Sequence, residues 1–237
     1  MTFDSTALFP RQFLQQTMMG PNCLRILDEL AAHFSLSATD KVLDLGCGMG
    51  LTSMALAKRY GCAVTAADLW IGAEDNQARF ERFQVADRVT PVHCEARAMP
   101  FAPETFDAVI SIDSYHYFGA DSAFLNNHLL PVLRPGGLLA VAIPGLQRDL
   151  AAVPDELQPF WEDGMNFYTP TWWRQLWLQT TNLDIIDTFT MSCHHKAWED
   201  WLACDNEYAK SDIPMIQAEQ GRYFATLGLL AKKKALR

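Results

Sequence analysis

The chain reads as an α/β protein built on a parallel sheet, and three observations carry that expectation. From Lys41 to Ile143, apolar runs of five to seven residues alternate with Gly- or Asp-containing turns and then with longer amphipathic stretches. The runs are rich in Val, Ile, Leu and Ala, as strands buried on both faces require. With 49% apolar and 20% charged residues and 13 Gly plus 12 Pro among 237, there is material for one sizeable core and no bias toward disorder.

Taken in order, Pro21 sits in the first turn of a helix that carries Leu24, Leu27, Leu30, Ala31 and Phe34 on one face. Strands are expected at Lys41 to Gly46, Cys62 to Asp68, Val89 to Cys94, Phe106 to Ile112 and Gly137 to Ile143. Helices fit between them at Leu51 to Tyr60, Ala73 to Val85 and Ser122 to Leu133, the last stopped by Arg134-Pro135-Gly136-Gly137. After the fifth strand the rhythm breaks. Gln147 to Phe167 is irregular, and a helix starts near Thr169-Pro170-Thr171. An alternating run from Leu183 to Met191, an amphipathic segment around Trp198 to Tyr208 and a last apolar run from Tyr223 to Ala231 complete the chain. Lys232, Lys233, Lys234 and Arg237 read as a short solvated tail.

Charge excludes several function classes. Nineteen basic against 28 acidic side chains give −9, which repels nucleic acid and anionic lipid. Between Asp149 and Asp212 lie 12 of those acids and only three basic residues, so the remainder holds 16 of each and is neutral. Six of the seven Trp fall in the same segment. No run approaches the ~20 apolar residues of a membrane span, and the first residues lack the charge and apolar pattern of a secretory signal, so a cytoplasmic address is expected. The six cysteines show no paired spacing and read as reduced packing residues; His194 and His195, adjacent and without partners, give no metal site.

The sharpest feature is Asp44-Leu45-Gly46-Cys47-Gly48-Met49-Gly50, directly after a strand and directly before a helix. Glycines at alternate positions let the backbone turn tightly and approach a ligand at the carboxyl end of the first strand. The third glycine arrives one residue early for a dinucleotide fingerprint, which disfavours a nicotinamide enzyme. Asp44 would place a carboxylate at the pocket floor, suiting a cationic ligand over a pyrophosphate.

In these residues the chain resembles the class I S-adenosylmethionine-dependent methyltransferases, with five motifs in order from about residue 20 to 145. The glycine loop is similar to the family's D/E-x-G-x-G-x-G motif, and Asp68, 24 residues after Asp44, to the acid that holds the ribose hydroxyls. His93 to Phe101 resembles the G-D-A-x-x-L-P-F segment that meets the adenine, with Glu95 in place of the commoner Asp. Phe106 to Phe118 resembles the fourth strand and the start of the acceptor pocket, and Leu133 to Gly137 the L-K/R-P-G-G turn. The resemblance implies a Rossmann-like, seven-stranded, mostly parallel sheet with helices on both faces, its last strand antiparallel, and a helical cap over the site. It implies one domain, with core residues about 20–145 and 183–233 and substrate elements about 1–20 and 147–212. It also implies methyl transfer from S-adenosylmethionine, leaving S-adenosylhomocysteine, to a small-molecule acceptor. Cofactor contacts would come from Asp44, Gly46, Cys47, Gly48, Gly50, Asp68, Leu69, Glu95, Ala96 and Asp113.

Methyl transfer asks for alignment, exclusion of water and removal of an acceptor proton. Asp113, Tyr115 and His116, just past the fourth strand, are the candidates for that work, with His116 or Asp113 as base. Aromatic faces and carboxylates both favour cations, so the acidic, Trp-rich segment hints at an amine acceptor. A subunit or sensor that holds the cofactor without catalysis, and O-, C- or S-methylation, stand as alternatives. Trp173 and Trp177, four apart, share a helix face, which more often means core packing.

Overall fold

A computed structural model describes residues 3–235. Seven strands, β1 (Lys41–Leu45), β2 (Ala63–Asp68), β3 (Val89–His93), β4 (Phe106–Ile112), β5 (Leu133–Leu146), β6 (Leu183–Thr190) and β7 (Phe224–Lys233), form one sheet in the order β3-β2-β1-β4-β5-β7-β6. The first five are parallel; β7 inserts antiparallel between β5 and β6. The chain leaves β1 toward β2 on one side and returns to β4 on the other, so the switch point that hosts ligands in such sheets lies at the carboxyl ends of β1 and β4.

Period-two alternation sorts the strands between two apolar layers. Val42, Ala108, Ile110, Leu138, Ala140 and Ala142 face one layer, while Leu43, Val109, Leu139, Val141 and Leu229 face the other. The first layer holds α1 (Arg11–Thr17), α2 (Cys23–Leu30), α3 (Leu51–Tyr60), Phe80 of α4 (Ala73–Arg82), and α7 (His194–Leu202) and α8 (Glu207–Glu219). The second holds α5 (Leu130–Val132), entered through a π-helical turn over Leu125–Leu129, and α6 (Pro170–Leu178). Asn22 caps α2 by accepting from the amides of Leu24 and Arg25, which leaves Pro21 outside the helix rather than in its first turn.

Three further expectations shift. Strand β5 extends well beyond Gly137 to Ile143 because Leu138 through Leu146 pair continuously with β7 from Lys232 back to Phe224. The segment from Trp198 to Tyr208 is two helices broken between Leu202 and Glu207, with Asn206 capping the second through the Ala209 amide. The lysine tail is structural: Lys232 and Lys233 belong to β7, and Lys233 Nζ donates to the carbonyls of Leu130 and Leu133 at 2.9 and 2.7 Å. Arg237 lies outside the described residues. All six cysteines are free thiols, and among the described residues no helix is long and apolar enough to cross a membrane.

Candidate active site

A cavity of about 290 Å³ opens at the switch point, lined by the ends of β1, β2 and β4, the glycine loop and the N-terminal arm. The loop is stitched to β2 by its backbone: the amides of Gly46 and Cys47 donate to the Ala67 carbonyl at 2.8 and 3.1 Å. Gly46 has φ +74°, and a Cβ there would fall 2.2 Å from Ser114 Oγ, so only glycine lets the loop rest on the turn after β4. Gly48, at φ +52°, donates its amide to Asp68 Oδ2 at 2.8 Å. Asp68 Oδ1 accepts from the amides of Trp70 and Ile71 at 2.8 and 3.0 Å. Three backbone donors thus aim one carboxylate at the cavity wall, and its remaining lone pairs can accept from a diol. Leu69, Cys47, Glu95 and Ala96 line the same wall; Glu95 is engaged by Arg97, whose amide and guanidinium both donate to it.

Two expected cofactor contacts sit elsewhere. Asp44 is fully buried beneath the loop, not at the cavity floor. Its Oδ2 accepts from Thr52 and Ser53 in the first turn of α3, pinning that helix to β1, and Oδ1 has no partner among the described residues. Burial pushes this carboxyl up to about 6 despite those two bonds. Gly50 also lies outside the lining; it lets α3 begin against Phe80, which a Cβ would meet at 2.5 Å.

The catalytic candidates separate more sharply. Asp113 lines the cavity, held at φ +58° with its amide on the Ala142 carbonyl at 2.7 Å. Burial first, then the nearby Asp212 charge, pushes its carboxyl up to about 8, and no hydrogen bond from the described residues holds it down. Tyr115 is a core residue instead. It is wholly buried among Phe118, Phe124, Trp173 and Trp177, away from the cavity. His116 is likewise buried beside Tyr117 and Phe167, with Nδ1 unpartnered among the described residues and burial pushing its imidazole down to about 3. Both residues follow Asp113 in a 3₁₀ turn (Tyr115–Tyr117) whose geometry turns successive side chains to different sides.

Trp70, Arg97 and Ser114, not singled out in the sequence, complete the lining with Tyr117, which the sequence left open between lining and core, and with Met19 and Gly20 at the end of the arm expected among the substrate elements. A Cβ on Gly20 would lie 2.3 Å from Asp113 Oδ2, which marks how closely the arm approaches that carboxylate. No residue of the acidic, Trp-rich segment lines the cavity. Trp173, Trp177 and Trp201 are buried in the core, and His194 spends Nδ1 on Thr226 Oγ1 at 3.0 Å. The segment approaches the site through Asp212, which accepts from Trp201 Nε1 at 2.8 Å.

Three carboxylates (Asp68, Glu95, Asp113) therefore face the cavity against one guanidinium, Arg97, already paired to Glu95. Such a wall suits a ligand of net positive charge with a diol and rejects a pyrophosphate. Residues 42–137, from β1 into β5, match the methyltransferase domain family. The chain is 33% identical over 123 residues to the methyltransferase GfsG of Streptomyces halstedii, a match covering 50% of this chain and 42% of that protein. It is 32% identical over 118 residues to the 27-O-demethylrifamycin SV methyltransferase of Amycolatopsis mediterranei, covering 49% and 43%. Over this stretch the chain is therefore similar to methyltransferases. Its match spans less than half the length of these curated relatives. The fold agrees with that of a putative sarcosine dimethylglycine methyltransferase from Galdieria sulphuraria at TM-score 0.72 and 17% identity, covering 90% of this chain and 86% of the other. Of the two acids expected on the cofactor side, Asp44 lies under the loop and Asp68 at the wall.

Proposed function

We propose that this chain methylates a small amine with S-adenosylmethionine as donor. The observation that supports an amine is Asp113, a carboxylate on the cavity wall with no donor to satisfy it among the described residues, next to a second carboxylate in Asp212. The cavity's composition fits the donor: Asp68 for the ribose diol, the backbone of Gly46 to Gly48 for close approach, Glu95 and Ala96 at the adenine edge, and a surplus of negative charge for a cation. When bound, the donor supplies an electrophilic methyl carbon on a sulfonium and leaves as S-adenosylhomocysteine. The protein's part is positioning and proton removal. Asp113 receives an acceptor ammonium as an ion pair and takes one of its protons, which frees the nitrogen lone pair; that proton then passes to solvent. Its raised carboxyl brings it nearer to an ammonium in basicity than an ordinary aspartate, easing the transfer.

A second reading is O-methylation, favoured by the oxygen named in the rifamycin relative. Asp113 would then take a hydroxyl proton.

The test is the melting temperature of the purified protein with S-adenosylmethionine, S-adenosylhomocysteine and NAD at equal concentration. A ligand at ~100 times its Kd adds about 2.7 kcal/mol to the native state. A rise with the first two that is lost in Asp68→Ala supports the donor, and turnover of amines ahead of phenols, thiols and carboxylates supports the acceptor. A rise with NAD alone overturns both.

A further inference from the structure

Among the described residues eight large apolar side chains are exposed, and four of them, Met19, Leu69, Trp70 and Tyr117, lie on the lining of this one cavity. The other four, Phe3, Leu178, Ile186 and Tyr208, are outside it. Scattered exposed apolar groups are ordinary on a soluble protein; a cluster at the mouth of a ligand cavity marks an apolar occupant.

The rim is built rather than incidental. Trp70 is 65% and Tyr117 53% exposed, and their rings meet edge to face with centroids 5.3 Å apart. They come from opposite sides of the glycine loop, Trp70 from the turn after β2 and Tyr117 from the turn after β4. Each turn is anchored. The Trp70 amide is held by Asp68, and the preceding Leu69 carbonyl meets His93 Nε2 at 2.7 Å. The Tyr117 amide donates to the Ser114 carbonyl at 3.1 Å, Ser114 Oγ donates to the Leu45 carbonyl at 2.9 Å, and Asn166 Nδ2 donates to the His116 carbonyl at 2.9 Å. A fixed aromatic pair loses little entropy when a flat apolar group covers it. Asp113, four residues before Tyr117, lines the same cavity. Ligand passing this mouth meets an apolar lip and a carboxylate, a pairing that a small polar amine uses only in part.

We infer that Trp70 and Tyr117, with Leu69 and Met19, form the acceptor-binding surface, and that the acceptor is an amphiphilic amine: an ammonium head directed to Asp113 and an aromatic or alkyl body lying on the rim. This rests on the methyltransferase reading above and narrows its acceptor class.

The test is calorimetric binding of three ligands, 2-phenylethylamine, 2-phenylethanol and ethanolamine, to wild type and to Trp70→Ala and Trp70→Phe, with and without saturating S-adenosylhomocysteine. The alanine variant keeps the backbone amide that Asp68 holds. Expected is an affinity for 2-phenylethylamine about tenfold or more above that for ethanolamine, lost in Trp70→Ala and largely regained in Trp70→Phe, with the affinity for S-adenosylhomocysteine unchanged. Equal binding of the two amines in wild type overturns the inference, as does a Trp70→Ala variant that loses the nucleoside ligand but not the phenyl compounds. If 2-phenylethanol binds as well as 2-phenylethylamine and both depend on Trp70, the rim stands and the amine head falls, so the two readings fail separately.

Discussion

The two walls of the cavity are made differently. The wall proposed for the donor is local: the loop from Asp44 to Gly50 is joined by hydrogen bonds from its amides to Ala67 and Asp68 at the end of the neighbouring strand. The wall proposed for the acceptor is assembled from afar, with Gly20 of the arm against Asp113 and Asp212 of α8 supplying the second charge. In the proposed function, donor binding would thus rest on a short motif whose spacing leaves few alternatives. The proposed acceptor side depends on which distant segment packs over the turn after β4, and that turn's side chains cannot be sorted by spacing alone.

The strongest way to break this comparison is at Asp113. Asp113→Asn is expected to lower kcat/KM for the acceptor by about 10²–10⁴-fold while leaving the thermal shift with S-adenosylhomocysteine in place; an equal loss of both would merge the two walls into one. The pH dependence follows from its sign. A carboxyl raised from 3.8 to about 8 keeps a proton in the folded state that the unfolded chain has already released, so it makes stability fall as pH rises between about 4 and 8. Wild type should therefore lose more melting temperature from pH 6 to 9 than Asp113→Asn does. Between about pH 4 and 6 Asp44, raised to about 6, adds a slope of the same sign to both proteins, so wild type, which carries the Asp113 slope as well, should be the steeper of the two there. As a base Asp113 must be unprotonated, so kcat/KM of the wild type should climb toward a plateau above about pH 8.

A second contrast lies between the neutral α/β body and the acidic, Trp-rich segment. The segment's aromatic weight is buried: Trp173 and Trp177 pack against Tyr115 and the β5–β7 face, and Trp201 in the opposite layer. Trp173→Ala should cost about 3–5 kcal/mol of stability, read by denaturant unfolding, and leave the Kd for S-adenosylhomocysteine within about twofold in protein that remains folded. A selective loss of acceptor binding without loss of stability would return that segment to the active site.

Much of this architecture was legible because its signals are short-range. Gly46 and Gly48 stand where the backbone needs left-handed conformations, Asp68 ends its strand, and β4 keeps the bounds its apolar run predicts. Asp44 was misplaced because sequence proximity to the loop does not say on which side of it a carboxylate points; Thr52 and Ser53, one turn into α3, were the available signal. The Trp-rich segment misled because aromatic content does not distinguish a cap from a core, although the four-residue spacing of Trp173 and Trp177 pointed to the latter. The pairing of Trp70 with Tyr117 was hidden for the opposite reason, since it depends on two turns 47 residues apart meeting over one loop.

The smallest expected effect is at His116, and it sharpens the division between the residues of the Asp113-to-Tyr117 turn. Buried beside the rings of Tyr117 and Phe167, the imidazole is pushed from 6.5 to about 3, so the folded protein keeps it neutral where the unfolded chain takes up a proton. Its contribution therefore makes stability fall as pH drops from about 6.5 toward 3. His116→Phe replaces an unpartnered polar ring with an apolar one of similar shape, which should change stability at pH 7.5 by less than about 1.5 kcal/mol and leave kcat within about threefold. Between pH 7 and 5 the variant should then hold its melting temperature better than wild type. A loss of turnover comparable to that of Asp113→Asn would place the imidazole at the reacting atoms after all and make Asp113 a partner in binding alone.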